Sequence, residues 1–279
     1  MEAYTDFAFV YDTLMDNTPY ELWCEQVCAI LKRHGIVDGL VLDLGCGTGT
    51  LTELLAQKGY DMIGVDMSQE MLNRAAQKRE ESGLSILYLL QDMREFELYG
   101  TVKAVVSVCD SLNYLLEEKD VIDTFKLVNN YLDPEGLFIF DFNTVHKYRD
   151  VIGDTTIAEY REDCSFIWVN YYHEEERIND YEVTFFIREE EYFRRFEETH
   201  YQRGYNAEEM TAFLEKAGVE VVFMKDADTL MDVTEETERI CMVAKECGKD
   251  RSYDSQFLLR LLDKKRTYKG EELNDRLYG

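Results

Sequence analysis

Five short apolar runs recur along the first half of the chain: 40–44 (LVLDL), 61–66 (DMIGVD), 86–91 (ILYLLQ), 103–108 (KAVVSV) and 136–142 (GLFIFDF). Each is dominated by aliphatic or aromatic residues, the pattern of a strand buried on both faces. Between them the spacing turns helical. Residues 50–58 follow the first run directly. Residues 68–81 open on Ser68 and place Met71, Leu72 and Ala75 at helical spacing. Residues 118–132 put Val121, Ile122, Phe125, Val128 and Leu132 on one face, with Pro134 and Gly136 to stop the helix. This alternation predicts a parallel sheet with helices on both faces.

The pattern changes after residue 150. Residues 155–203 carry aromatic and β-branched blocks separated by charged turns, and hold 12 of the chain's 36 aromatic residues. That spacing predicts an antiparallel meander. A helix returns at 206–217, with Asn206 as N-cap and Gly218 as stop, and two more strands follow at 219–225 and 238–245. Near the end, Tyr253, Phe257, Leu258, Leu261 and Leu262 form one apolar helical stripe. The expected architecture is therefore α/β, a doubly wound, mostly parallel seven-stranded sheet. Residues 1–150 and 204–246 would form its core, 151–203 an antiparallel β insert, and 247–279 a helical tail.

Charge narrows the function. The chain of 279 residues carries 57 acidic and 30 basic side chains, a net charge of −27. Such a surface opposes any partner bound by neutralising phosphates, and any anionic membrane. No apolar run approaches the ~20 residues that a membrane span needs. The opening MEAYTDFAFV lacks a basic leader, so the expectation is a soluble cytoplasmic protein. Seven cysteines, an odd count, show no disulfide or zinc spacing, and the four histidines are scattered. No metal is expected.

The chemistry concentrates at VLDLGCGTGTL, residues 41–51. A strand runs into glycines at 45, 47 and 49, and a helix follows. Glycine lets the backbone turn tightly and approach a ligand closely. A dinucleotide site would need glycine or alanine where Thr50 stands. It would also place a diphosphate near Asp43, a carboxylate better suited to an ammonium group. Asp66 ends the second strand, placed to accept hydrogen bonds from ribose hydroxyls.

These residues resemble the first motif of class I S-adenosylmethionine-dependent methyltransferases. GVDMS at 64–68 is similar to their acidic second motif, QDMREF at 91–96 to their third, and VSVCDSLNYL at 106–115 to the segment after their fourth strand. Tyr4, Phe7, Ala8, Tyr11 and Asp12 resemble the leader of the bacterial small-molecule branch. The likeness covers 1–145 and 204–245. It implies a Rossmann-like methyltransferase fold with S-adenosyl-L-methionine as cofactor and S-adenosyl-L-homocysteine as product. It further implies that Gly45, Cys46 and Gly47 line the methionine part through backbone. Asp43 would face its ammonium through water or backbone. Asp66 would hold the ribose, with Met67, Asp92 and Met93 around the adenine. Cys109 and Asp110 would lie beside the sulfonium, and Tyr4, Phe7 and Tyr11 would share a helical face over the site.

Methyl transfer from a sulfonium needs alignment and water exclusion above all. An oxygen acceptor also needs a base, and Asp110, His146, His173 and His200 are candidates. The expected reaction is methylation of a nitrogen or oxygen atom of a small molecule. Residues 155–203 carry 13 acidic and 6 basic residues among their aromatics, which suits an amine-bearing acceptor. A nucleic-acid substrate is disfavoured: the segment CDSLNY lacks the Asn/Asp-Pro-Pro-aromatic tetrad of the amino-group nucleic-acid methyltransferases. A macromolecular acceptor and a catalytically idle partner-binding subunit are the alternatives. A monomer or homodimer is the expected assembly.

Overall fold

The computed structural model describes Ala8 and residues 11–249. Tyr4, Phe7 and the apolar stripe at 253–262 lie outside the described residues. A seven-stranded sheet runs through the molecule in the order β10-β11-β5-β4-β1-β2-β3. Its strands are β1 (Gly39–Leu44), β2 (Tyr60–Asp66), β3 (Ile86–Leu90), β4 (Val102–Ser107), β5 (Leu132–Asn143), β10 (Val219–Asp226) and β11 (Arg239–Glu246). The first five are parallel, and β11 runs antiparallel to both β5 and β10.

Strand alternation assigns each face of this sheet to its helices. Leu42, Leu44, Val105, Phe138, Phe140 and Phe142 pack against Val121, Phe125 and Val128 of α5 (Glu118–Tyr131) and Met210, Phe213 and Leu214 of α6 (Ala207–Ala217). Val41, Ala104, Val106, Leu137 and Ile139 face the other way. They meet Cys24, Val27, Cys28 and Leu31 of α2 (Tyr20–Arg33) and Leu51 and Leu55 of α3 (Thr50–Gln57). Burying each of these large side chains contributes about 1.5–3 kcal/mol, so the two layers hold the sheet flat against its helices. All seven cysteines are free thiols.

The helix ends follow their capping residues. The Ser68 hydroxyl accepts the Met71 N–H at the start of α4 (Gln69–Ser82). Asn206 opens α6, its N–H donating to the Glu209 carboxylate at 3.0 Å, and Gly218 closes it with φ +76°. One boundary differs from the sequence reading. Pro134 and Gly136 lie inside β5, which begins at Leu132 directly after α5. Leu132 pairs with Val102 and Leu137 with Ala104, so residues 133–136 bulge opposite Lys103. A proline is tolerated in a strand at such a bulge because no ladder bond is needed from it.

The segment after residue 150 forms a separate four-stranded antiparallel sheet, β6 (Thr156–Tyr160), β7 (Cys164–His173), β8 (Ile178–Glu189) and β9 (Tyr192–Arg203). The β8–β9 pairing runs from Ile178↔Arg203 to Glu189↔Tyr192. Leu14 of α1 (Tyr11–Leu14) packs into this sheet's own core beside Cys164, Tyr181, Val183 and Phe185. No helix among the described residues is long and apolar enough to cross a membrane.

Candidate active site

A cavity of about 220 Å³ opens across the C-terminal ends of β3, β2, β1 and β4. In an open α/β sheet this is where ligands bind. Gln91 and Met93 lie at the β3 end. Asp66 and Met67 follow, then Asp43, Gly45, Cys46 and Gly47. Val108, Cys109, Ser111 and Tyr114 stand at the β4 end, with Tyr11 and Tyr20 over them.

The Asp66 carboxylate is fixed by backbone. One oxygen accepts the Gly47 N–H at 2.8 Å and the other the Ser68 N–H at 2.9 Å. Each oxygen keeps acceptor capacity for a ligand hydroxyl. Burial pushes the Asp66 carboxyl above its ordinary value, against those backbone donors. Asp43 is placed by strand alternation. Its neighbours Leu42 and Leu44 face α5, so its own side chain turns to α3, where the Thr52 hydroxyl donates to it at 2.6 Å. Burial raises its pKa to about 7, the Thr52 bond opposes the rise, and nearby Asp66 adds to it.

Two glycines shape the floor. Gly45 has φ +79°, and a Cβ there would fall 2.7 Å from the Ser111 side chain. Gly64 of β2 would meet the Tyr88 ring at 2.6 Å and the Cys46 sulfur at 2.9 Å. The chain therefore needs bare backbone both beside Ser111 and beneath Cys46.

At the β4 end, Cys109 and Asp110 both take left-handed backbone, with φ of 63° and 52°. Non-glycine residues occupy this region at a cost, and surrounding contacts must hold them there. Asp141 does so, accepting the Cys109 N–H at 3.2 Å and the Asp110 N–H at 2.8 Å. Asp141 is itself buried and faces Arg239, which stacks over Trp23. The Cys109 thiol is pushed up to about 12, first by burial and then by Asp110 and Asp141, so it stays protonated near neutral pH. Its sulfur lies 3.8 Å from the Tyr11 hydroxyl.

The residues named from the sequence divide into two groups. Tyr11, Asp43, Gly45, Cys46, Gly47, Asp66, Met67, Met93 and Cys109 all line the cavity. Asp92 and Asp110 are not among its lining residues. The Asp92 carboxylate is gripped by the Arg94 guanidinium and backbone N–H, which holds it below the usual carboxylate range. Asp110 accepts Gln202 Nε2 at 2.7 Å and Asn143 Nδ2 at 3.1 Å, and is thereby tied to the second sheet. His146 pairs with Asp150 at 2.9 Å, and His173 is half exposed, 3.9 Å from Asp180; neither lines the cavity. His200 is buried behind Tyr114.

Several residues had no assigned role in the sequence, Asp12 among them although it belongs to the leader resemblance. Asp12 accepts the Thr48 hydroxyl at 2.6 Å and pairs with Lys78 at 2.7 Å, tying α1 to the glycine loop. Tyr114 stood in the quoted segment 106–115 without a role. Asp141 was legible only as a carboxylate inside an apolar strand, which a buried partner must justify. Tyr20 had no local signal. Of the thirteen acids in 155–203, ten are exposed, Glu159 and Asp180 are half-buried, only Glu198 is buried, and none lines the cavity.

Comparison with known proteins agrees with this geometry. A family model described as a methyltransferase domain matches residues 41–136. YqeM of Bacillus subtilis (strain 168), a protein named as a methyltransferase, is 42% identical over 219 residues, covering 78% of this chain and 87% of its own length. The crystal structure of an S-adenosylmethionine-dependent methyltransferase from Clostridium acetobutylicum ATCC 824 superposes with a TM-score of 0.81 at 30% identity, covering 88% of this chain and all of that one. A Streptomyces venezuelae relative, dTDP-3-amino-3,4,6-trideoxy-alpha-D-glucopyranose N,N-dimethyltransferase, is 27% identical over 138 residues, 49% of this chain and 56% of its own. The chain belongs to the class I S-adenosylmethionine-dependent methyltransferases.

Proposed function

We propose that the protein moves the methyl group of S-adenosyl-L-methionine onto a nitrogen or oxygen atom of a small molecule, leaving S-adenosyl-L-homocysteine. The observation that carries this reading is the cavity itself, with Asp66 held by Gly47 and Ser68 and the second sheet bonded to Tyr114 at its β4 end. Its chemistry fits the donor. Asp66 offers acceptors to the ribose hydroxyls, and Met67 and Met93 offer apolar contact to the adenine. Gly47 has no atom within 4 Å of where a Cβ would stand, so its backbone faces open space. Asp43 balances an ammonium, directly or through water. Asp92 acts behind Met93, fixing the 91–94 turn through Arg94.

When bound, S-adenosylmethionine supplies an electrophilic methyl group on sulfur. The chain's part is to align the acceptor and exclude water. The acceptor enters at the β4 end, between Cys109, Tyr114 and the second sheet. The net charge of −27 argues against a phosphate-rich acceptor.

A panel of small amines, phenols and alcohols tests this, each incubated with S-adenosylmethionine while S-adenosylhomocysteine is quantified. Turnover of at least one member is expected. Labelled methyl groups found only on protein or RNA from a cell extract would overturn the small-molecule reading.

A further inference from the structure

Behind the β4 end of the cavity stands a buried line of polar side chains. Tyr114 lines the cavity from the short helix Ser111–Tyr114. Its hydroxyl lies 3.1 Å from His200 Nδ1 and 3.0 Å from the Tyr181 hydroxyl. His200 Nε2 lies 3.3 Å from the Glu198 carboxylate. His200 and Glu198 are 2% and 3% exposed, although they stand on a sheet most of whose other acids are exposed. The imidazole stacks on the Tyr181 ring, centroids 5.1 Å apart and planes 12° from parallel. Tyr181 in turn packs against Trp168.

Burying a carboxylate and an imidazole together is costly unless each is paired. Two residues apart on β9, Glu198 and His200 point to the same face of the strand. That face covers Tyr114, and the network ends at the cavity wall. In a neutral His200 whose Nε2–H donates to Glu198, Nδ1 is left to accept from the Tyr114 hydroxyl.

The geometry points to Tyr114 as the group that receives the acceptor's proton during methyl transfer, with His200 and Glu198 as positioning residues behind it. This rests on the methyl-transfer reading above. The acceptor's lone pair forms the new bond to the methyl carbon, and the sulfur–carbon electron pair stays on sulfur. The acceptor's proton passes to the Tyr114 oxygen while the Tyr114 hydroxyl proton passes to His200 Nδ1. The sulfonium's positive charge thus ends on the imidazolium, beside Glu198. General-base assistance of this kind is worth about 10²–10⁴-fold.

Two measurements test it. The first needs no acceptor. Nitrogen-15 spectra of the wild-type protein with S-adenosylhomocysteine resolve the tautomers of its four histidines, His200 being assigned by its loss in His200→Gln. A protonated Nε2 and an unprotonated Nδ1 are expected, and the opposite tautomer overturns the proposal even if no acceptor has been found. The second uses the fastest acceptor from the panel above. Tyr114→Phe should lower kcat at least tenfold while the S-adenosylhomocysteine Kd stays within twofold; a smaller fall overturns the proposal. Should Tyr114→Phe fail to fold, the pH dependence of kcat in His200→Gln decides. Among the described residues, Tyr114, Tyr181 and Glu198 face His200, with Asp110 and Cys109 near Tyr181. Loss of the acid limb of the profile supports the relay. An equal reduction at every pH shows a merely structural role and overturns it.

Discussion

Asp43 and Asp66 lie in one cavity, yet their carboxylates are held by different means. Asp66 is gripped by two backbone N–H groups, so its orientation survives changes in neighbouring side chains. Replacing it with Ala removes up to two charge-assisted hydrogen bonds, about 1.5–3 kcal/mol each. Titration calorimetry with S-adenosylhomocysteine should therefore show a loss of affinity of at least about tenfold by that estimate. Equal affinity in both proteins would remove Asp66 from the ribose role. Asp43, by contrast, titrates near pH 7 in the unliganded protein. Between the ordinary 3.8 and that value, the folded state binds more protons here than the unfolded state. The site's contribution to stability thus falls as pH rises through that window. Ligand affinity runs the other way, because an ammonium prefers the ionised carboxylate. The S-adenosylhomocysteine Kd should tighten from pH 6 to pH 8, and Asp43→Asn should flatten that dependence. A Kd independent of pH in the wild type would separate Asp43 from the ammonium.

Short elements borrow their order from what they touch. Helix α1 has only four residues, too few to be stable alone. It is pinned by Asp12 to Thr48 and Lys78, by Leu14 in the second sheet's core, and by Arg161 on the Thr13 carbonyl. An ion pair this exposed contributes only about 0–1 kcal/mol. Asp12→Ala should accordingly leave the melting temperature almost unchanged. It should speed S-adenosylhomocysteine release, because α1 carries Tyr11 over the cavity. Stopped-flow dissociation would show this, and identical rates would mean that α1 does not hold the ligand in. The insert shows how far periodicity reaches at this scale. Its aromatic blocks announced an antiparallel sheet, and four antiparallel strands are present. Composition alone could not tell which face each acid occupies. Glu197 is exposed and Glu198 is buried, neighbours with opposite fates set by the register of β9 on β8.

Across the whole molecule, a net charge of −27 leaves a folded state that repels itself. Salt screens such repulsion over a Debye length of about 10 Å at 0.1 M. Thermal unfolding followed by circular dichroism should move to higher temperature as sodium chloride rises from about 10 to about 300 mM, concentrations spanning that screening range. A midpoint that falls with salt would mean that favourable ion pairs such as Arg177–Glu209 outweigh the repulsion.

Local sequence was sufficient wherever the physics is local. Alternating apolar runs announced the strands, Ser68, Asn206 and Gly218 marked helix ends, and glycines between a strand and a helix marked the cavity floor. These features depend on neighbours within a few residues, so they can be read along the chain. Asp141 holding the Cys109–Asp110 turn, 32 and 31 residues away, could not be read this way. Neither could the alignment of Glu198 and His200 behind Tyr114, 86 residues from His200. Such pairs are chosen by strand order and register. A buried carboxylate or imidazole acquires its partner, and with it its chemistry, only when distant strands are brought side by side.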